Sequence, residues 1–205
     1  MNVGNIYCVG RNYRLHALEL GNEVPSSPMI FTKPTHALRE MNGQALAIPQ
    51  NRGEVHFELE LVLRIGEDYT SGMLLEKAVD AFSLGLDLTL RDVQSQLKQK
   101  GHPWLAAKGF KGAATVGEWL PLTSAKELEQ GEFKLMRNDA LVQLGQPKDM
   151  IFSCDELIRF IDEHYGLGAG DLIYTGTPAG VAALHPADRL EAYWNDQKLG
   201  SCTIL

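Results

Sequence analysis

The chain has 205 residues, with 19 Lys and Arg against 26 Asp and Glu, for a formal charge of −7. That balance excludes the basic footprint on which non-specific nucleic-acid binding depends. A hydrophobic fraction of 44% with 22% charged residues excludes disordered and fibrous classes and suits one substantial core.

The N-terminal stretch MNVGNIYCVGRNYRLH has no basic region followed by an apolar one, and charges or glycines interrupt every apolar run, so a soluble, cytoplasmic protein is expected. No repeat or long linker divides the chain, and a single domain over residues 1–205 is predicted. Cys8, Cys154 and Cys202 are odd in number and far apart, which predicts buried free thiols rather than a disulfide framework or a zinc site.

A short helix is predicted from Asn12 to Gly21. It sets His16 and Glu19 at i and i+3, on one face. A carboxylate beside an imidazole orients it and favours its protonated form, the pairing of a His general base; ordinary charge pairing on a surface helix gives the same spacing. Lys33 follows in Phe31-Thr32-Lys33-Pro34. The run Phe57 to Ile65 alternates, with Phe57, Leu59, Leu61, Leu63 and Ile65 on one face of a strand and Glu58 and Glu60 on the other. A second alternating run, Phe82 to Leu90, places Asp87 on the polar face with Gly85, and Arg91 follows on that face. Gly85 beside a lone Asp signals close approach of something to the backbone. Three carboxylates from two strands offer hard oxygen ligands suited to Mg²⁺ or Mn²⁺; a solvated polar sheet face is the alternative.

Beyond these strands a helix is predicted from Asp92 to Lys100, stopped by Gly101, with Gln94 in its first turns. Lys108 sits among small and aromatic residues, an unusual setting for a solvated lysine. Further strands are predicted at Phe133 to Arg137, Leu141 to Leu144, Leu172 to Thr175, Leu190 to Trp194 and Ser201 to Leu205, with turns at Asn138-Asp139 and Asn195-Asp196. Ser153 and Glu156 form a capping box for a helix that ends at Gly166. Thr175-Gly176-Thr177-Pro178 closes a strand with a turn whose backbone amides can receive an anion. Many strands with few peripheral helices predict a β-rich α+β fold.

In this order the segments GRNYRLHALE at 10–19, FTKP at 31–34, FELEL at 57–61, LDLTLRDVQ at 86–94, PWLAAKGF at 103–110 and GDLIYTGTPAGV at 170–181 resemble the fumarylacetoacetate hydrolase superfamily, especially its short acylpyruvate hydrolase and oxaloacetate decarboxylase or tautomerase branch. The resemblance implies a β-roll of mixed sheets with peripheral helices, as a homodimer. It implies Mg²⁺ or Mn²⁺ on Glu58, Glu60 and Asp87, with His16, Glu19 and Lys108 catalytic and Arg11, Lys33, Arg91, Gln94, Thr175 and Thr177 binding a small 2-oxo or 2,4-dioxo acid. The implied activity is metal-dependent cleavage of the carbon–carbon bond of acylpyruvates to pyruvate and a carboxylic acid, with oxaloacetate decarboxylation or tautomerisation alongside. The alternative is an isomerase or decarboxylase of the 2-hydroxyhepta-2,4-diene-1,7-dioate type in aromatic catabolism. A non-catalytic metal-binding domain would need neither His16, Glu19 nor Lys108. Gly109, Leu90 and Ala187-Asp188 depart from the family pattern without removing any of these residues.

Overall fold

The computed structural model describes residues 3–19, 21 and 23–205. In chain order its strands are β1 (Ile6–Gly10), β2 (Met29–Lys33), β3 (Leu38–Glu40), β4 (Asn42–Leu46), β5 (Val55–Phe57), β6 (Leu59–Ile65), β7 (Val79–Leu86) and β8 (Thr89–Leu90). They continue as β9 (Ala114–Val116), β10 (Leu120–Pro121), β11 (Phe133–Arg137), β12 (Ala140–Gly145), β13 (Leu172–Tyr174), β14 (Ala182–Ala183), β15 (Arg189–Trp194) and β16 (Gln197–Ile204). The helices are α1 (Arg14–Glu19), α2 (Leu75–Ala78), α3 (Arg91–Lys100), α4 (Leu105–Lys108), α5 (Ala125–Gln130) and α6 (Cys154–Tyr165).

Among the described residues the largest sheet runs β10-β7-β6-β13-β1-β2, and a second runs β12-β11-β15-β16-β4. Short sheets β14-β5-β8 and β3-β9 complete a β-rich α+β fold. Both large sheets are mixed: β1 runs parallel to β13, and β16 parallel to β4, against otherwise antiparallel pairs. Phe57, Leu59, Leu61, Leu63 and Ile65 are all buried, together with Leu84, Leu86, Leu88 and Leu90, so the two alternating runs supply the centre of the core. The three cysteines are free and buried, and among the described residues no helix is long and apolar enough to cross a membrane.

Each alternating run is two strands rather than one. The first breaks at Glu58, so that β5 joins the three-stranded sheet and β6 the six-stranded one; the second breaks at Asp87 and Leu88. The two breaks face each other, with the Asp87 N–H donating to the Glu58 carbonyl at 2.8 Å. Both carboxylates therefore project from a seam where two sheets part. The predicted caps and turns hold: Ser153 and Glu156 form a capping box on α6, and Gly101 ends α3 at φ 64. Asn138 (φ 52) and Asp139 (φ 67) join β11 to β12, the two positive φ values of a type I′ hairpin turn.

Candidate functional site

Glu60 lies in β6 opposite Gly85 of β7, and Leu59 opposite Leu86, which brings Asp87, just past the end of β7, alongside the two glutamates. Glu58, Glu60 and Asp87 are buried, and one carboxylate oxygen from each lies within 4.8 Å of the others. The close approach signalled by Gly85 comes from the chain itself. A Cβ there would sit 2.1 Å from the Thr115 carbonyl and 2.9 Å from the Tyr174 ring.

Three cations answer these carboxylates. Lys108, at the end of α4, places Nζ 2.7 Å from Glu58 and 2.8 Å from Asp87. Arg91, the first residue of α3, donates to Glu58 and to Gln94 Oε1, the latter at 2.8 Å. Lys33, at the end of β2, donates to the carbonyls of Leu88 and Lys108. Its Nζ is also 2.7 Å from Asp87 Oδ1, a buried ion pair whose angle falls outside good hydrogen-bond geometry. Burial opposes ionisation of Glu58, yet Lys108 and Arg91 outweigh it and hold the carboxyl below its usual range. Burial likewise opposes the Lys108 ammonium, and Asp87 and Glu58 overcome it, so Lys108 stays charged. No cation contacts Glu60. Burial, then the charges of Asp87 and Glu58, push it well up, and neither the nearby Lys108 charge nor its bond from the Gly176 N–H at 2.8 Å compensates.

A buried Glu60 carboxylate that no cation contacts and a poorly hydrogen-bonded Asp87 oxygen, converging with Glu58, are an oxygen donor set that a divalent cation would complete. Glu58, Glu60 and Asp87 thus fit Mg²⁺ or Mn²⁺ in chemistry and spacing.

Above the carboxylates, α1 carries His16. Its Nδ1 is 3.4 Å from Glu19 Oε2, and the Glu19 carboxylate also accepts from the Gly180 N–H at 3.2 Å. Glu19 was expected to favour the imidazolium; burial is the larger effect and lowers the His16 pKa despite the opposing pull of Glu58 and Glu19. The approach to α1 is fixed by buried Asn12, which donates to the carbonyls of Thr175 (2.8 Å) and Phe152 (3.0 Å) and accepts from the Phe152 N–H. Gly176, at φ 101, lets Asn12 come so close that a Cβ would meet Asn12 Cβ at 2.6 Å.

A cavity with about 30 Å³ open to water-sized groups is lined by Glu58, Glu60, Asp87, Lys108, Arg91 and Gln94, and also by His16, Arg11 and Thr177. Lys33 and Thr175 do not line it. Lys33 stands behind Asp87, and the Thr175 hydroxyl donates to the Leu61 carbonyl at 2.9 Å, holding β13 to β6. Thr177 donates to the Leu59 carbonyl and accepts from Gln143, both at 2.8 Å. The turn amide predicted to receive an anion receives the carboxylate of Glu60. Sequence reasoning missed Lys98, Trp104 and Phe31, which also line the cavity. Lys98 was within reach of a helix-face argument, since Arg91, Gln94 and Lys98 stand at i, i+3 and i+7.

The chain matches the family described as fumarylacetoacetate (FAA) hydrolase C-terminal over residues 5–204. It is 36% identical over 200 residues to oxaloacetate tautomerase YcgM of Escherichia coli (strain K12), covering 96% of this chain and 91% of that one. It is 38% identical over 186 residues to a mitochondrial oxaloacetate decarboxylase of Dictyostelium discoideum, with 88% and 84% covered. The crystal structure of fumarylpyruvate hydrolase from Pseudomonas aeruginosa in complex with Mn²⁺ and pyruvate superposes with a TM-score of 0.92 at 31% identity, covering 99% of this chain and 90% of that one.

Proposed function

The chain belongs to the fumarylacetoacetate hydrolase family, and from that premise we propose that it is a divalent-metal-dependent enzyme that cleaves acylpyruvates to pyruvate and a carboxylic acid and also acts on oxaloacetate. The observation that carries this reading is the convergence on one cavity of three buried carboxylates and of His16, whose Nδ1 faces Glu19 behind it. A structural cation alone would need no positioned base.

Mg²⁺ or Mn²⁺ on Glu58, Glu60 and Asp87 would stabilise the negative charge that develops on a 2-oxo acid as its enolate forms. The protein supplies the remainder. With Nδ1–H turned to Glu19, His16 Nε2 is the basic nitrogen and takes a proton from water. The water oxygen bonds to the distal carbonyl carbon; the C3–C4 bond then breaks, its electron pair passing into the pyruvate enolate. The acid leaves, and a proton returned to C3 completes pyruvate. Lys108, held as the ammonium, and Arg91 with Gln94 orient the carboxylate end of the substrate. Lys33 and Thr175 position Asp87 and β13 rather than touch substrate.

A second reading, oxaloacetate tautomerase or decarboxylase as the main activity, is favoured by the E. coli and D. discoideum relatives. Loss of CO₂ from oxaloacetate reaches the same pyruvate enolate without attacking water, and proton transfer at its C3 interconverts the keto and enol forms of oxaloacetate itself. The cytoplasmic setting and homodimer expected from sequence belong to the same proposal. The test is turnover of acetylpyruvate, fumarylpyruvate, maleylpyruvate, oxaloacetate and 2-hydroxyhepta-2,4-diene-1,7-dioate by chelator-treated protein, with and without Mg²⁺ or Mn²⁺. Metal-dependent turnover of the acylpyruvates is expected. No metal-dependent turnover of any of them would sink the reading.

A further inference from the structure

Lys98 lies one turn beyond Gln94 on the cavity face of α3, with its Nζ 5.2 Å from the centroid of the Trp104 ring. Arg11 is held in the left-handed region at φ 58, a conformation that costs a non-glycine residue energy and accumulates where function fixes the backbone. Lys98, Arg11 and Trp104 line the inner cavity and, on their other side, an open outer groove of about 630 Å³. They are therefore the passage between the two. Among the described residues neither Lys98 nor Arg11 makes an ion pair or a side-chain hydrogen bond, in contrast to Lys33, Arg91 and Lys108 deeper in.

We propose that Lys98, with Arg11 across the passage, receives the distal carboxylate of a dicarboxylic 2-oxo acid, so that this chain prefers substrates carrying a second anion at the end away from the 2-oxo group. The assignment rests on the reading that the 2-oxo acid end lies at Glu58, Glu60 and Asp87. The three inner cations each contact a buried carboxylate, whereas Lys98 and Arg11 line the mouth without one. Burial, then the charges of Arg11 and Arg91, push the Lys98 ammonium down to about 8. An incoming carboxylate relieves that crowding. The Trp104 face steadies the ammonium by cation–π attraction and leaves its N–H groups free for a ligand.

The experiment compares wild type, Lys98→Met and Lys98→Arg with Mn²⁺ present, on dianionic fumarylpyruvate and oxaloacetate and on monoanionic acetylpyruvate. Loss of one charge-assisted hydrogen bond predicts a fall in kcat/KM of roughly 10- to 100-fold on the dianions, carried by KM. Acetylpyruvate should change by no more than about 3-fold, and Lys98→Arg should restore most of the loss, as expected for a retained charge-assisted contact. Equal losses on acetylpyruvate and the dianions, or an unchanged KM on the dianions, would overturn the assignment. A calorimetric arm separates it from the activity reading by comparing 2-oxoglutarate with 2-oxobutyrate on Mn²⁺-loaded protein. If wild type turns over nothing yet prefers 2-oxoglutarate in a Lys98-dependent way, the proposed activity fails and the carboxylate receptor stands. No such preference overturns the receptor.

Discussion

His16 is pulled two ways, and the direction that wins sets its chemistry. Burial lowers its pKa while Glu58 and Glu19 raise it, and the net lowering leaves a neutral imidazole, a competent base, at neutral pH. The base form is lost as pH falls through a value below the ordinary 6.5, so the acid limb of kcat/KM for acetylpyruvate hydrolysis is expected below pH 6.5. His16→Ala should abolish that limb and cost on the order of 10²- to 10⁴-fold, with a much smaller loss on oxaloacetate decarboxylation, corrected for spontaneous decay. Equal fractional losses on both substrates would contradict a water-specific role. The pair itself was legible from its i, i+3 spacing; its protonation state was not, because the burial that decides it comes from long-range packing. Asp87 calls for a gentler probe than truncation. Asp87→Ala would strip Lys33 and Lys108 of a buried partner, a change that costs about 3–5 kcal/mol and confounds binding with folding. Asp87→Asn keeps the shape. It should weaken Mn²⁺ binding by on the order of 100-fold in calorimetric titration while the protein still melts cooperatively, and unchanged affinity would remove Asp87 from the ligand set.

At the scale of elements, the alternation of Phe57 to Ile65 revealed a buried strand because every second residue is apolar, but the break at Glu58 was invisible. Phe57 and Leu59 are both buried, so the apolar period runs unbroken from one sheet into the next. β1 was missed for the opposite reason. Ile6, Tyr7, Cys8 and Val9 are all buried between a parallel and an antiparallel neighbour, and a strand covered on both faces shows no alternation. Gly85 was read correctly as a point of close approach, although what approaches is the Thr115 carbonyl rather than a ligand. Gly85→Ala must therefore move backbone, and is expected to cost on the order of 1–3 kcal/mol, seen as a lower Tm; an unchanged Tm would show that β7 and β9 have room to part. Ala187 gives the reverse case. It stands where the family resemblance has glycine and adopts φ 69, so Ala187→Gly should relieve left-handed strain of about 1–2 kcal/mol, less the extra chain entropy glycine loses. A small rise in denaturant midpoint is expected, and a fall would show that the Ala187 methyl packs usefully.

Across the whole molecule the site gathers Lys33, Glu58, Glu60, Asp87, Arg91 and Lys108 from β2, the β5–β6 junction, β6, the end of β7, α3 and α4. No local period joins residues 33, 87 and 108. The order of motifs in the family resemblance brought these segments together before the structure did, whereas Lys98 and Trp104, outside those roles, emerged only from the cavity walls. A cation bound by carboxylates that meet only in the folded chain stabilises the native state by mass action. At a free metal concentration of 100 times Kd the gain is about 2.7 kcal/mol, and for a chain of this size each kcal/mol raises Tm by roughly 2–4 °C. Mn²⁺ added to chelator-treated protein is thus expected to raise Tm by about 5–10 °C, combining those two relations. Because the chain carries a net charge of −7, some shift follows from general screening, so NaCl at matched ionic strength is the control. Asp87→Asn should lose most of the metal-specific shift. Lys98→Met, which touches the passage and not the carboxylates, should keep it. An equal shift in wild type and Asp87→Asn would mean that the cation binds elsewhere on the acidic surface, and the three buried carboxylates would then have to be held together by Lys33, Arg91 and Lys108 alone.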